Sequence, residues 1–428
     1  MRILVVTDVL WRDDNGVGNS YSNIFKNFPD AEIANICCQQ GVSNNRISSK
    51  CFQISEISIL RNLKSATNPS GAVEKETIEV SEKGKESNLF SFIKKSRLQI
   101  FFWLRNCIWK FGRWKSVELK KFIDDFQPDL IFAQLQDKMY LNNLVSYVQH
   151  YTGKPLCLYA WDDVYSLKQF SLSPLFWIDR FMQRRSIRKV VKQSQILYTI
   201  SEAQKMEYAK SLKVRTELLY KGYLFEDEPQ FNDKPEDTAK VLRILYTGNL
   251  YSGRYITLHH VCEALKKINL GGKKAELFIY SATNLSEKQI ARLNVEGSSY
   301  FMGKISEQEV QKLQKDADIL LHLEPFSLKG SLLCRLSFST KLVDYFYNAK
   351  CIFAVGHKRC SSMQYLKKFN AAVVTEDIDE IEQKLRELIE NQDVQKEYAR
   401  NAWMCGRQNH QIEDIQNKLV SDFKSLKS

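Results

Sequence analysis

The chain has 428 residues, which at roughly 150 per domain gives two to three domains and rules out a disulfide-stapled miniprotein. Hydrophobic residues make up 44% and charged residues 26%, the balance of a folded globular chain rather than a disordered one. The net charge is +12, and it is uneven: residues 1–215 hold 32 basic and 21 acidic side chains, residues 216–428 hold 30 and 29. An excess confined to the first half points to a local anionic partner there, such as lipid headgroups, a lipid-linked phosphate or nucleic acid. The 10 cysteines show no CxxC and no metal-ligand spacing, which fits scattered reduced thiols rather than a disulfide framework. No signal peptide is read at the N-terminus, because the apolar run breaks at Thr7 and Asp8. No uncharged apolar run approaches the roughly 20 residues that span a bilayer.

In chain order, Arg2 to Asp8 is a β-branched run that reads as a buried parallel strand. A Gly-containing loop, Trp11 to Asn19, leads to a helix over Ser20–Phe28 and a strand over Ala31–Cys37, a βαβ opening. Residues about 62–90 are polar and charged and read as a mobile insertion. Arg97 to Trp114 patterns as an amphipathic helix. Ile100, Phe101, Trp103, Leu104, Cys107, Ile108, Phe111 and Trp114 fall on one face, with Arg105, Lys110 and Arg113 off it. With Lys94, Lys95, Lys120 and Lys121 this stretch, 94–121, suits an anionic membrane surface; a core helix with solvated bases is the other reading. Strands follow at Asp129–Ala133, Pro155–Ala160 and Gln195–Ile200, with a basic helix over Phe176–Gln193. The acidic, Pro-containing segment Glu226–Thr238 reads as an interdomain boundary. A second alternating series then runs from Val241 to Thr375, and helices close the chain. The expected fold class is α/β, two Rossmann-like domains facing a cleft with C-terminal helices crossing back. The expected division is 1–225, 239–400 and a terminal helix 401–428.

Several positions carry candidate chemistry. Gly16 and Gly18 lie between a strand and a helix, where backbone can approach an anion; a flexible βα turn explains them equally, and the GxGxxG spacing fails. Gly248 and Asn249 end a strand, with Arg254 just beyond, a suitable place for phosphate. Ser339, Thr340 and Lys341 gather hydroxyls, amides and an ammonium at a helix start, and Asp344 lies one turn on, within reach of ribose hydroxyls. Ordinary capping is the plain alternative for the hydroxyls. Asp162 and Asp163 follow a strand end, where either can cap a helix. Glu324 ends the strand ILLHLE. Histidines show no metal-ligand spacing, and His322 reads as a core residue.

The runs TGNLYSGR, FSTKLVDYFYNAKCIFAVG and ISEAQKMEYAKSLKVRTELLYKG resemble retaining GT-B glycosyltransferases of the large family four, which often build bacterial surface polysaccharides. The resemblance runs from Arg2 to about Ala372 and is densest over Leu242–Gly356. It matches Ile200, Ser201, Glu202, Tyr208, Lys221 and Gly222 at the close of the first domain. It implies that Gly16 and Gly18 face the donor diphosphate, that Arg254, Ser339, Thr340 and Lys341 bind it, that Asp344 holds the ribose, and that Asp162, or else Asp163, lies near the transferring sugar, holding a hydroxyl or stabilising positive charge on the anomeric carbon. It also implies metal-independent, cofactor-free sugar transfer from a nucleotide-sugar to a lipid-linked or surface-polysaccharide acceptor, in the cytoplasm at the inner face of the plasma membrane. The family's pair of glutamates is incomplete: Asp344 fits the second, Leu336 occupies the first, and Glu324 is the candidate substitute. Two rivals are a non-hydrolysing nucleotide-sugar epimerase and a basic nucleic-acid-binding protein. The latter lacks any recognition-element signal, so no nucleic-acid partner is expected.

Overall fold

The computed structural model describes residues 1–13, 16–65, 69–73, 99–226, 229, 231 and 240–426. The first sheet has strands β1 (Arg2–Thr7), β2 (Glu32–Cys37), β3 (Lys50–Ile54), β4 (Gly71–Val73), β5 (Leu130–Gln134), β6 (Leu156–Ala160), β7 (Ile196–Thr199) and β8 (Thr216–Leu218). Their order is β4-β3-β2-β1-β5-β6-β7-β8, parallel throughout except β4, which pairs antiparallel with β3. The second sheet has β9 (Leu242–Thr247), β10 (Ala275–Tyr280), β11 (Ser299–Gly303), β12 (Ile319–Leu323), β13 (Cys351–Val355) and β14 (Val373–Thr375), in the order β11-β10-β9-β12-β13-β14, all parallel.

Strand sequence dictates this burial on both faces. In β1, Ile3 and Val5 enter one core and Leu4 and Val6 the other, the period of two that a pleated strand imposes. Both sheets change direction of winding once, between β1 and β5 and between β9 and β12. Ligand crevices in open parallel sheets lie outside the carboxyl ends of the strands at such reversals. The two reversals therefore mark where a shared site belongs.

Expectation and structure differ at several places. The segment 62–90 does not begin as a loop: Asn62–Lys64 complete a helix, Glu56–Lys64, started by the Ser55–Ser58 capping box, and Gly71–Val73 form β4. Residues 66–68 and 74–90 of that segment lie outside the described residues, as do 94–98 of the basic stretch. The boundary placed at 400/401 falls inside the helix Gln392–Asn409; the chain turns instead at His410, before the helix Ile412–Ser425. That last helix crosses back to the first domain, where Phe423 packs on Phe28 and Phe132. Of the expected boundary 226–238, only Glu226, Pro229 and Phe231 are described.

The helix expected over 97–115 spans Gln99–Phe111. Its inner side is not the apolar stripe. Trp109 is buried and donates its indole N–H to Glu56 (2.8 Å), and Arg105 pairs inward with the same carboxylate. Leu104, Cys107 and Phe111 face solvent, while Trp114 lies beyond the helix end and is buried. The ion pair and the two tryptophans anchor the helix, so the apolar side is left outside.

Candidate active site between the two sheets

The second domain builds its wall around Arg254, the first residue of the helix Arg254–Asn269. Gly253 at φ 99° provides the left-handed turn into that helix. Arg254 donates Nη2 to Glu324 Oε2 (2.8 Å) and Nε to the Leu323 carbonyl (3.1 Å), and stands 3.4 Å from Asn249 Oδ1 through Nη1. Glu324 is buried, 2% exposed, and His322 Nε2 lies 3.5 Å from its other oxygen. Burial alone would raise the Glu324 carboxyl, but Arg254, helped by His322, outweighs it and brings the pKa to about 2. Glu324 thus holds Arg254 in place, a role beyond the donor contact expected of it.

Lys341 begins the helix Lys341–Tyr347 and donates Nζ to the Thr247 carbonyl at the end of β9 (2.7 Å). Gly248, at φ 150°, leaves the room: a Cβ there would lie 2.2 Å from Lys341 Nζ. Desolvation, then Arg254, lowers the ammonium to about 8, with Glu324 and Asp344 opposing. Arg254 and Lys341 therefore act on one region, beside β9 and β12. Thr340 precedes the helix without a side-chain cap bond, and the Ser339 N–H donates to Ser362 Oγ (3.0 Å), so neither hydroxyl residue caps in the ordinary way. Asp344 accepts from Lys221 Nζ of the first domain (2.6 Å).

The first domain answers with the loop after β6. Asp163 is buried and structural. It accepts from the Ser166 N–H (2.8 Å) and the Ser166 hydroxyl (2.5 Å), with Arg180 and Arg335 alongside at 3.6 and 3.4 Å. Asp162 faces the cleft, where it accepts from the Ser337 hydroxyl of the second domain (2.8 Å). Although open to the cleft, its carboxyl is raised by desolvation, with Ser337 and Arg254 pulling the other way. The pair left open by the sequence is thereby divided: Asp162 to the cleft, Asp163 to the loop.

Gly18 has a different reason to be glycine: a Cβ would lie 2.0 Å from the Arg12 carbonyl oxygen, so the helix Gly16–Phe25 packs directly on the preceding loop. Gly16 starts that helix and is exposed. Nearby, Asn19 reaches Glu307 across the cleft (3.1 Å). Sequence reasoning missed Arg335, Ser337 and Lys221 as cleft residues. Arg335 bonds Glu207 of the first domain through both terminal nitrogens (2.6 and 3.0 Å). No spacing signal marks such contacts, since each partner lies more than a hundred residues away.

No family model matches this sequence, and no curated protein matches it either. Solved structures do resemble it over full length. HepE from Anabaena, solved in complex with UDP and glucose, superposes with a TM-score of 0.63 at 14% identity, covering 99% of this chain and 100% of that one. Sucrose-phosphate synthase from Thermosynechococcus elongatus gives 0.62 at 10% identity, covering 100% and 99%. The trehalose-6-phosphate protein of E. coli bound with UDP-2-fluoro glucose gives 0.62 at 12% identity, covering 99% of both chains. Two facing domains built on parallel sheets, each wound from a central reversal, give this chain the GT-B fold shared by those structures.

Proposed function

We propose that the chain is a retaining, metal-independent glycosyltransferase that moves a hexosyl unit from a nucleotide-sugar to a lipid-linked or surface-polysaccharide acceptor. The observation that carries the reading is the pairing of Arg254 and Lys341 at the β9/β12 reversal, with Asp162 opposite them. The UDP donors of the structural neighbours supply the donor class. As the bond from anomeric carbon to phosphate oxygen breaks, charge grows on the leaving diphosphate, and two preorganised cations stabilise it. Asp162 stabilises the positive charge that develops on the sugar. Asp344 keeps Lys221 on one oxygen and still offers its second to the ribose, because a carboxylate has about four acceptor sites. The acceptor hydroxyl attacks the face the diphosphate leaves, and its proton goes to the departing phosphate oxygen. The enzyme works at the inner face of the plasma membrane; among the described residues no helix is long and apolar enough to cross a membrane.

The test is a thermal-shift screen of nucleotide sugars, followed by transfer assays with the donor that binds. A donor at 100 times its Kd stabilises the fold by about 2.7 kcal/mol. Asp162→Asn is expected to bind that donor normally and to transfer about 100-fold more slowly, the scale of one lost electrostatic contact to the transition state. Isomerisation of the donor without any acceptor would replace transfer by epimerisation as the reaction.

A further inference from the structure

Among the described residues, the helix Pro174–Val191 presents an unpartnered face of unusual make-up. Its residues at helical spacing, Leu175, Ile178, Phe181 and Met182, are exposed, with Phe181 57% and Ile178 50% in solvent. Further along the same face come Arg185, Lys189 and Lys192, all exposed. The loop leading in adds Leu167, Phe170 and Leu172, the last 89% exposed. A single exposed leucine needs no explanation, but seven contiguous apolar residues do.

The charge around this face is mostly basic, and Glu207 beside the loop is paired with Lys168 (3.3 Å) and Arg335 (2.6 Å). The helix Pro174–Val191 packs on Met139–Thr152, which packs in turn on Gln99–Phe111. These three helices contain one acid, Asp179, and it is buried and bonded to Gln183 (2.7 Å). An apolar ledge running into exposed bases, with no exposed acid on these three helices, matches the acyl boundary and phosphate headgroups of an anionic bilayer. The ledge also borders the cleft: the loop that carries Leu167 begins at Asp162, and Ser166 within it bonds Arg335 Nη2 (3.1 Å).

We propose that the loop 167–173 and the helix Pro174–Val191 rest on an anionic phospholipid surface, with the apolar half dipping in and the cationic half meeting phosphates. This surface is distinct from the stretch 94–121. It stands on exposure and charge alone, so it holds or fails separately from the sugar-transfer reading.

The experiment is flotation of the full chain with phosphatidylcholine vesicles, with and without phosphatidylglycerol. Wild-type protein is expected to float only with the anionic vesicles. The doubles Ile178→Asp/Phe181→Asp and Arg185→Glu/Lys189→Glu are each expected to weaken that binding roughly tenfold or more. Both change exposed side chains, and an unaltered melting temperature and donor-induced shift would show an intact fold and cleft. Leu104→Asp/Phe111→Asp should bind vesicles nearly as well as wild type. The proposal is overturned if wild type ignores anionic vesicles or floats equally with neutral ones. It is also overturned if the two helix doubles bind normally, or if only Leu104→Asp/Phe111→Asp loses binding. A concentration-dependent dimer in light scattering that vanishes in Ile178→Asp/Phe181→Asp would assign the face to a second copy instead.

Discussion

Glu324→Ala is expected to cost about 3–5 kcal/mol of folding stability, because removing one partner of a buried pair leaves the other charge uncompensated. Arg254 is largely enclosed and loses its strongest contact, while the neighbouring Leu323 carbonyl alone cannot fix its fork. Donor binding should fall with it, since the guanidinium would leave the β9/β12 reversal. Urea unfolding measures the first effect and calorimetry with a nucleotide-sugar the second; a loss under about 1 kcal/mol would return the pair to the rank of a surface salt bridge. The pH dependence has a definite sign. Folding lowers the Glu324 carboxyl from the ordinary 4.5 to about 2, so its stabilisation is complete above 4.5 and drains away as pH falls toward 2. The neutral replacement Glu324→Gln should lack that acid-sensitive part of the unfolding curve.

Lys341→Met should abolish most of the donor-induced thermal shift while leaving the unliganded melting temperature equal or higher. The change keeps the stem volume beside Gly248 and removes an ammonium that burial disfavours. A charge-assisted contact to a diphosphate is worth about 1.5–3 kcal/mol, so affinity should drop about 10- to 100-fold. The wild-type protein offers a second readout. With Lys341 at about 8, the unliganded ammonium is half deprotonated near pH 8, and a bound diphosphate favours the protonated form. Nucleotide-sugar affinity should therefore weaken as pH rises through 8, with proton uptake on binding. Calorimetry in two buffers of different ionisation enthalpy detects that uptake; a pH-independent Kd between 7 and 9 would place the diphosphate away from Lys341.

What the sequence made legible was what period and punctuation encode. The β-branched runs at Arg2–Thr7, Leu242–Thr247 and Ile319–Leu323 announced the central strands, and Gly248 and Gly253 marked the turns where a backbone must bend. The short strands Lys50–Ile54 and Thr216–Leu218 escaped, because five and three residues with polar members carry little pattern. Arg254, Lys341 and Asp162 were singled out from their places at element ends. The ion pair of Glu324 was not legible: its partner, Arg254, stands 70 residues earlier, and only the fold brings the two together. The orientation of the helix Gln99–Phe111 stayed open for a related reason. Its wheel shows two faces, but which one turns inward depends on Glu56, far away in sequence.

The way the chain passes between its lobes has a mechanical consequence. The outbound segment at Tyr223 and the returning one at His410–Ile412 lie side by side: Tyr223 N–H donates to the His410 carbonyl (2.8 Å), and Ile412 N–H to the Tyr223 carbonyl (2.9 Å). Gly222 lets them touch, since a Cβ there would stand 2.8 Å from Ile412 Cα. Two strands stitched together behave as a door hinge, not a tether. Swinging about their common line spares both bonds, whereas twisting or sliding one lobe past the other must tear them.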